Sequence, residues 1–357
     1  MADLRSYIKQ DKLLVESVVR ITPPSSFARK SSKVDGYGFE RSDSFDYGLN
    51  NEFTSTYKPI LERRNRRWND SVSNSKVPHN RKMKRFCRKG IPNEYRATAW
   101  MSLSKADKYM KNNPSLYQEL QSQTLDLKVE ESIKLDLHRT FPENIYFSDT
   151  NDTESSLQVP LYNVLKALAI KNKKIAYCQG MNFVAGLLLI TVKNQEKVFW
   201  LMDTLMNEIL PDFYNPDMKA LKAEQELLGQ IVSWKLPEVH RHLVSLGVPW
   251  MLIGTKWFIC MYADVAPVET VLRIWDALFY EGSKILLRVA FTLISMNSDK
   301  ILACKDFPEA VHIIQSSVKN PLVKHCHSFM ELIFKETGSF PRNEITKMRK
   351  SCIEKIT

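Results

Sequence analysis

The feature that most constrains this chain is a helical spacing of apolar residues that runs almost without break from residue 90 onward. Val159, Tyr162, Leu165 and Ala169 recur at intervals of three or four, as do Val198, Leu201, Leu205 and Ile209, with Leu221, Leu228 and Val232 more loosely spaced. Such a period lines one face of a helix, so the reading is a series of amphipathic helices. Pro211, Pro216, Pro237, Pro249 and Pro267 fall between the runs, and Gly282 follows the run ending at Tyr280 as a C′ glycine should. Ser283 is expected to cap a helix over 284–295. No Asn-Gly or Asp-Gly hairpin is read between alternating runs, and no repeat of fixed period. The expectation is an all-α chain.

With 357 residues and 44% apolar content there is ample material for one large core with tails. The longest apolar run, Phe183 to Val192, is too short to span a bilayer, and the N-terminal Met-Ala-Asp-Leu-Arg lacks the apolar core of a signal peptide. A cytoplasmic protein is therefore expected. Its six cysteines have no framework spacing and are expected as thiols. Residues 1–56 are rich in Ser, Asp, Asn and Gly and are read as a mostly disordered tail, apart from an apolar patch around Leu13–Val15 and Val18-Val19. Residues 57–84 are read as a basic helical lead-in, with Ile60, Leu61 and Trp68 set among arginines. Residues 301–357 are expected to be helices packing back on the domain.

Charge is unevenly spread. Residues 62–90 hold eleven Lys or Arg against Glu62 and Asp70, a local +9 of the chain's +11. A run of this kind, over residues 63–89, suits an anionic membrane surface, an acidic protein patch, nucleic acid, or simply a solvated helix face. Nothing around it resembles a nucleic-acid module, so no nucleic-acid partner is expected.

The stretch from Ile133 to Asn182 carries the chemistry. Ile133, Asp136 and Arg139 lie three apart, so on a helix the Asp136 carboxylate can reach and orient the Arg139 guanidinium. Pro142 is expected to stop the helix, leaving Arg139 in its last turn and aimed outward. Forty residues on, Tyr177-Cys178-Gln179-Gly180-Met181-Asn182 places a glutamine beside a glycine between two apolar helical runs. Standing alone, the Asp136/Arg139 pair would be an ordinary surface ion pair, with Ile133, Leu135, Leu137 and Phe141 as core.

These residues carry a resemblance. Ile133-x-x-Asp136-x-x-Arg139-Thr140-Phe141-Pro142 followed by Tyr177-x-Gln179-Gly180-Met181-Asn182 resembles the paired finger motifs of the TBC domain, the GTPase-activating domain for Rab-type small GTPases. Arg88-x-Gly90-Ile91-Pro92-x-x-x-Arg96-x-x-x-Trp100 resembles the opening of that domain, and Trp257-Phe258 and Pro267-x-Glu269-x-x-Leu272-Arg273-Ile274-Trp275-Asp276 resemble its later segments. The match covers residues 85–300, and the stretch Asp35–Arg41 is similar to the short members of the family. The resemblance implies a single multi-helix TBC domain, with Arg139 as an arginine finger and Gln179 as a glutamine finger. It implies Asp136 as the orienting residue and Arg96, Tyr177 and Asn182 as supports. Asn144 has no settled assignment. Chemistry of this kind needs charge neutralised and a water aligned. The guanidinium fork suits the first task, and an amide that both donates and accepts suits the second.

The implied partner is a GTP-bound Rab, which brings its own GTP and Mg²⁺. The chain itself has no P-loop and is expected to carry no cofactor or metal. The expected location is cytoplasmic, with peripheral endomembrane contact. The rival is a non-catalytic Rab-binding scaffold, disfavoured because both fingers are present. A Cys178/His138 nucleophile and a His325-Cys326-His327 metal site are set aside. The first pair are variable positions inside the finger motifs, and adjacent residues on a helix diverge by about 100°.

Overall fold

In the computed structural model the described residues are 34–41, 47–72, 77–148 and 156–356. The apolar patch at 13–19 and most of the expected tail lie outside them. Contacts divide the chain into two compact units, residues 1–86 with 90–204, and residues 87–89 with 205–357.

Helix α1 (Tyr47–Ser71) and helix α2 (Arg81–Lys89) open the first unit. The lead-in helix thus begins ten residues before the expected position 57. Trp68 anchors it, 1% exposed and stacked on Tyr95 with ring centroids 6.3 Å apart. Then come α3 (Asn93–Ser104), α4 (Ala106–Asn112), α5 (Leu116–Ser122), α6 (Leu127–Leu137), α7 (Gln158–Lys171), α8 (Met181–Val192) and α9 (Gln195–Thr204). Helix α8 is apolar nearly all round and buried along almost its whole length, which marks it as the central element. Helices α3, α6, α7 and α9 pack around it.

Part of the expected tail is built into this unit. Residues 34–41 turn at Asp35-Gly36, where the Asp35 carboxylate accepts the N–H groups of Tyr37 (2.8 Å) and Phe39 (3.0 Å) and a bridge joins Val34 to Glu40. That Asp-Gly turn is the hairpin the sequence reading did not find, because no alternating run flanks it. A second bridge pairs Phe39 with Asn144.

The second unit begins with a π-helical turn (Leu205–Ile209) and continues through α10 (Lys219–Lys235), α11 (Pro237–Ser245), α12 (Trp250–Ile259), α13 (Val268–Glu281) and α14 (Lys284–Ser295). Next are α15 (Ser298–Ala303), α16 (Phe307–Ser316), α17 (Pro321–Lys324), α18 (Cys326–Lys335) and α19 (Arg342–Ile356). Pro237 opens α11 at its first turn, and Pro249 and Pro267 immediately precede α12 and α13, where the missing N–H costs nothing. Trp257, Phe258, Ile274 and Trp275 are core. Ser283 does not cap α14 with its side chain. Its hydroxyl instead accepts from Arg349 (3.1 Å) on α19, whose guanidinium also grips buried Glu224 through two 2.7 Å bonds. Among the described residues no helix is long and apolar enough to cross a membrane.

Arg88 of the opening motif acts within this second unit. Its guanidinium grips Glu281 through Nε (2.5 Å) and Nη2 (2.8 Å) and lies 4.3 Å over the Phe334 ring, while Lys284 adds a 3.0 Å contact to Glu281. Burial pushes the Glu281 carboxyl up, but Arg88 and Lys284 outweigh it and bring the pKa down to about 2. A folded pKa below the ordinary Glu value of ~4.3 means stabilisation that is full above that pH and lost as pH falls toward the folded value. Glu281→Gln is therefore expected to cost roughly 3 kcal/mol at neutral pH, by breaking a buried pair. Urea unfolding should show the difference between variant and parent shrinking steadily below pH ~4.

Candidate functional site

The two finger motifs are stitched together by hydrogen bonds. Asp126 starts α6 by accepting the N–H groups of Lys128 (3.0 Å) and Val129 (3.2 Å). The helix ends at Leu137, so Arg139 sits in the turn beyond it rather than in its last turn. Between the helix end and Pro142, the Thr140 hydroxyl donates to the Asp136 carbonyl (2.6 Å) and its N–H to the Leu137 carbonyl (3.2 Å). Phe141 then takes a left-handed φ of 49° before Pro142, a strained conformation for a bulky residue.

Within this turn the Asp136 side chain is 3% exposed and forms an ion pair with Arg139, whose own side chain is 50% exposed. The Tyr177 hydroxyl donates to the other carboxylate oxygen of Asp136. Burial, then that hydrogen bond and the carboxylate charge, push the Tyr177 phenol far above its usual range, so it stays a donor. The buried carboxylate is thus held between Arg139 from the first motif and Tyr177 from the second. A second set of bonds runs in parallel. Asn182 donates to the Thr140 hydroxyl (2.8 Å) and accepts the Gly180 N–H (3.0 Å).

Gln179 lies between these anchors and is exposed, in the loop that leads into central helix α8. Gly180 precedes α8 with a φ of 107°, which side chains other than glycine's rarely adopt. Gly186, further along α8, lets the helix approach the arginine turn: a Cβ there would meet Thr140 Cγ2 at 3.0 Å and Phe141 Cε2 at 3.3 Å. Cys178 is buried, and burial followed by the Asp136 charge pushes its thiol up, the opposite of what a thiolate nucleophile needs.

The remaining predicted residues take structural places. Arg96 is 1% exposed and donates to Asn93 (2.6 Å) and the Tyr37 hydroxyl (3.0 Å). No described contact joins it to Arg139. Asn144, fully buried, donates to the Tyr37 carbonyl (3.0 Å) and accepts the Tyr146 N–H (3.0 Å). The Glu40 N–H bonds the Glu143 carbonyl and the Ile145 N–H bonds the Gly38 carbonyl, each at 2.9 Å, and Phe39 packs edge-on against Phe141 at 5.2 Å. Residues 37–40 therefore hold the segment just after the arginine turn. The sequence reading missed that role. Leu135, core only if the Asp136/Arg139 pair were an ordinary ion pair, is 73% exposed because it lies about 200° round the helix from buried Ile133.

Comparison with known proteins identifies the family. The family model described as the Rab-GTPase-TBC domain matches residues 93–302. Growth hormone-regulated TBC protein 1-A of Danio rerio is 46% identical over 338 residues, covering 94% of each chain. Growth hormone-regulated TBC protein 1 of Homo sapiens is 45% identical over 90% of this chain and 95% of its own. Among solved structures, the Chlamydomonas flagellar RabGAP TBC domain superposes with a TM-score of 0.71 at 27% identity, covering 85% of this chain and 99% of that one. With a family model spanning more than half of its length and relatives of this similarity end to end, the chain belongs to the Rab-GTPase-TBC family of GTPase-activating proteins.

Proposed function

We propose that this protein accelerates GTP hydrolysis by a GTP-bound Rab, inserting Arg139 and Gln179 into the partner's active site. The nucleotide and its Mg²⁺ arrive with the partner. The observation that carries the reading is the pairing of a nearly sealed Asp136 with a half-exposed Arg139. One face of the guanidinium is fixed by the carboxylate while the rest remains available to phosphate oxygens, so little ordering cost remains when the partner docks. Gln179, exposed on a loop anchored at Tyr177, Gly180 and Asn182, is suited to align the attacking water.

Single-turnover GTP hydrolysis across a Rab panel tests this. Arg139→Ala is expected to lower the accelerated rate by roughly 10³ or more, the scale on which arginine fingers act. Arg139→Lys should be nearly as damaging, because a point charge cannot bridge two oxygens. Equal rates for wild type and Arg139→Ala on every Rab would leave a binding scaffold in place of an activator.

Gln179→Ala should also cripple the reaction. If Gln179 aligns the water, a responsive Rab whose own switch glutamine is changed to Leu should still be accelerated. Retained binding with complete loss of response in that Rab would remove the glutamine from the mechanism.

A third expectation concerns residues 34–41. Deleting 1–33 should leave the rate and melting temperature near those of the full chain. Deleting 1–41 removes Tyr37, Phe39 and the backbone bonds to residues 143 and 145, and should lower both. Identical behaviour of the two truncations would show that this docked segment does not support the arginine turn.

A further inference from the structure

The finger chemistry leaves the basic run unused, and there the chain forms a cavity. The C-terminal end of α1 and the N-terminal end of α2 line an open cavity of about 630 Å³, with Arg67, Asp70 and Ser71 on one side and Arg81, Lys82 and Arg85 on the other. Four cations thus face one space with a single carboxylate among them. The volume falls within the range of small-molecule sites and far exceeds what one phosphate fills.

A further observation bears on what the cavity takes. The start of a helix carries partial positive charge and normally attracts acidic residues. Here the first turn of α2 has none and begins instead with Arg81 and Lys82. The fold gains nothing from that crowding of like charge, whereas a bound anion relieves it.

We propose that this cavity binds a phosphorylated inositol, either as a lipid headgroup or free in solution. Three arginines offer planar forks that match phosphate oxygens in two places, and Lys82 adds a point charge. Asp70 favours a ligand that presents hydroxyls beside its phosphates, since a carboxylate repels phosphate and accepts from a ring hydroxyl. That choice separates a polyol phosphate from a bare polyphosphate or a DNA backbone, neither of which has a free hydroxyl beside its phosphates. The site is independent of the finger reading and stands or falls apart from it.

The test uses the full chain with two probes. Calorimetry measures binding of soluble inositol trisphosphate. Sedimentation compares phosphatidylcholine vesicles doped with phosphatidylinositol bisphosphate against vesicles brought to equal surface charge with phosphatidylserine. Binding to the doped vesicles alone assigns the ligand to the membrane, and binding to the soluble probe alone assigns it to solution. The triple variant Arg67→Gln, Arg81→Gln, Arg85→Gln is expected to weaken whichever probe binds by roughly tenfold or more. Lys335→Gln, Lys347→Gln, Lys350→Gln removes equal charge from exposed positions on α18 and α19 and should change binding by less than about twofold.

Hydrolysis acceleration on soluble Rab and the melting temperature serve as folding controls for both variants. If the first triple variant unfolds, single Arg81→Gln and Arg85→Gln carry the test, each expected to weaken binding by about threefold. No binding of either probe would overturn the proposal. So would equal binding to the phosphatidylserine vesicles, displacement of the probe by an oligonucleotide of matching charge, or equal losses in the two triple variants.

Discussion

A carboxylate taken out of water has to be paired, and Asp136 is the group on which the finger region depends. Its side chain is almost fully buried, yet it keeps two partners, Arg139 and Tyr177, from motifs about forty residues apart. The pairing has two consequences at once. It holds the guanidinium in one orientation at the surface, and it ties the loop carrying Gln179 to the turn carrying Arg139. The Thr140–Asn182–Gly180 bonds run beside it, so the relative placement of the two loops rests on side chains rather than on a shared strand or helix.

The helices around this network explain why such loops hold their shape. Helix α8 is buried along nearly its whole length and begins immediately after Gln179-Gly180, so the core fixes one end of the glutamine loop. The same helix lies against the arginine turn, where Gly186 allows the close approach to Thr140 and Phe141. On the far side, Phe39 and the backbone of residues 38–40 brace the segment 143–145. The arginine turn is therefore held from two directions by elements distant in sequence.

What was legible beforehand follows the range of the interaction. The helical class, the proline boundaries and the Asp136/Arg139 pair are local: each depends on residues within a turn or two of one another, and spacing in the sequence reports it. Two of the failures, at Ser283 and at residues 34–41, are non-local, whereas the early end of α6 before Arg139 is a local one. Ser283 looks like a helix cap until Arg349, more than sixty residues on, takes its hydroxyl. Residues 34–41 have the composition of a tail because their partners are Asn93, Arg96 and residues 143–145, and nothing in their own spacing points there. The signals the sequence does offer there are the Asp35-Gly36 pair, which no alternating run flanks, and the similarity of Asp35–Arg41 to the short members of the family.

Backbone strain shows the same dependence on context. Phe141 and Ala176 adopt left-handed φ values of 49° and 52° in the two finger loops, which invites reading strain as the mark of a functional site. Lys105 and Lys193 do the same at ordinary helix ends, with φ values of 68° and 56°. A positive φ by itself therefore marks a helix terminus as readily as an active residue. What sets the finger loops apart is the conjunction: a strained turn, a sealed carboxylate that the turn keeps paired, and a charged side chain left half in solvent. The first two conditions cost stability locally, even though Phe141 packs on Phe183 of α8 with ring centroids 5.5 Å apart. The third, an arginine fixed on one face and open on the other, is the return that a transition-state contact would provide.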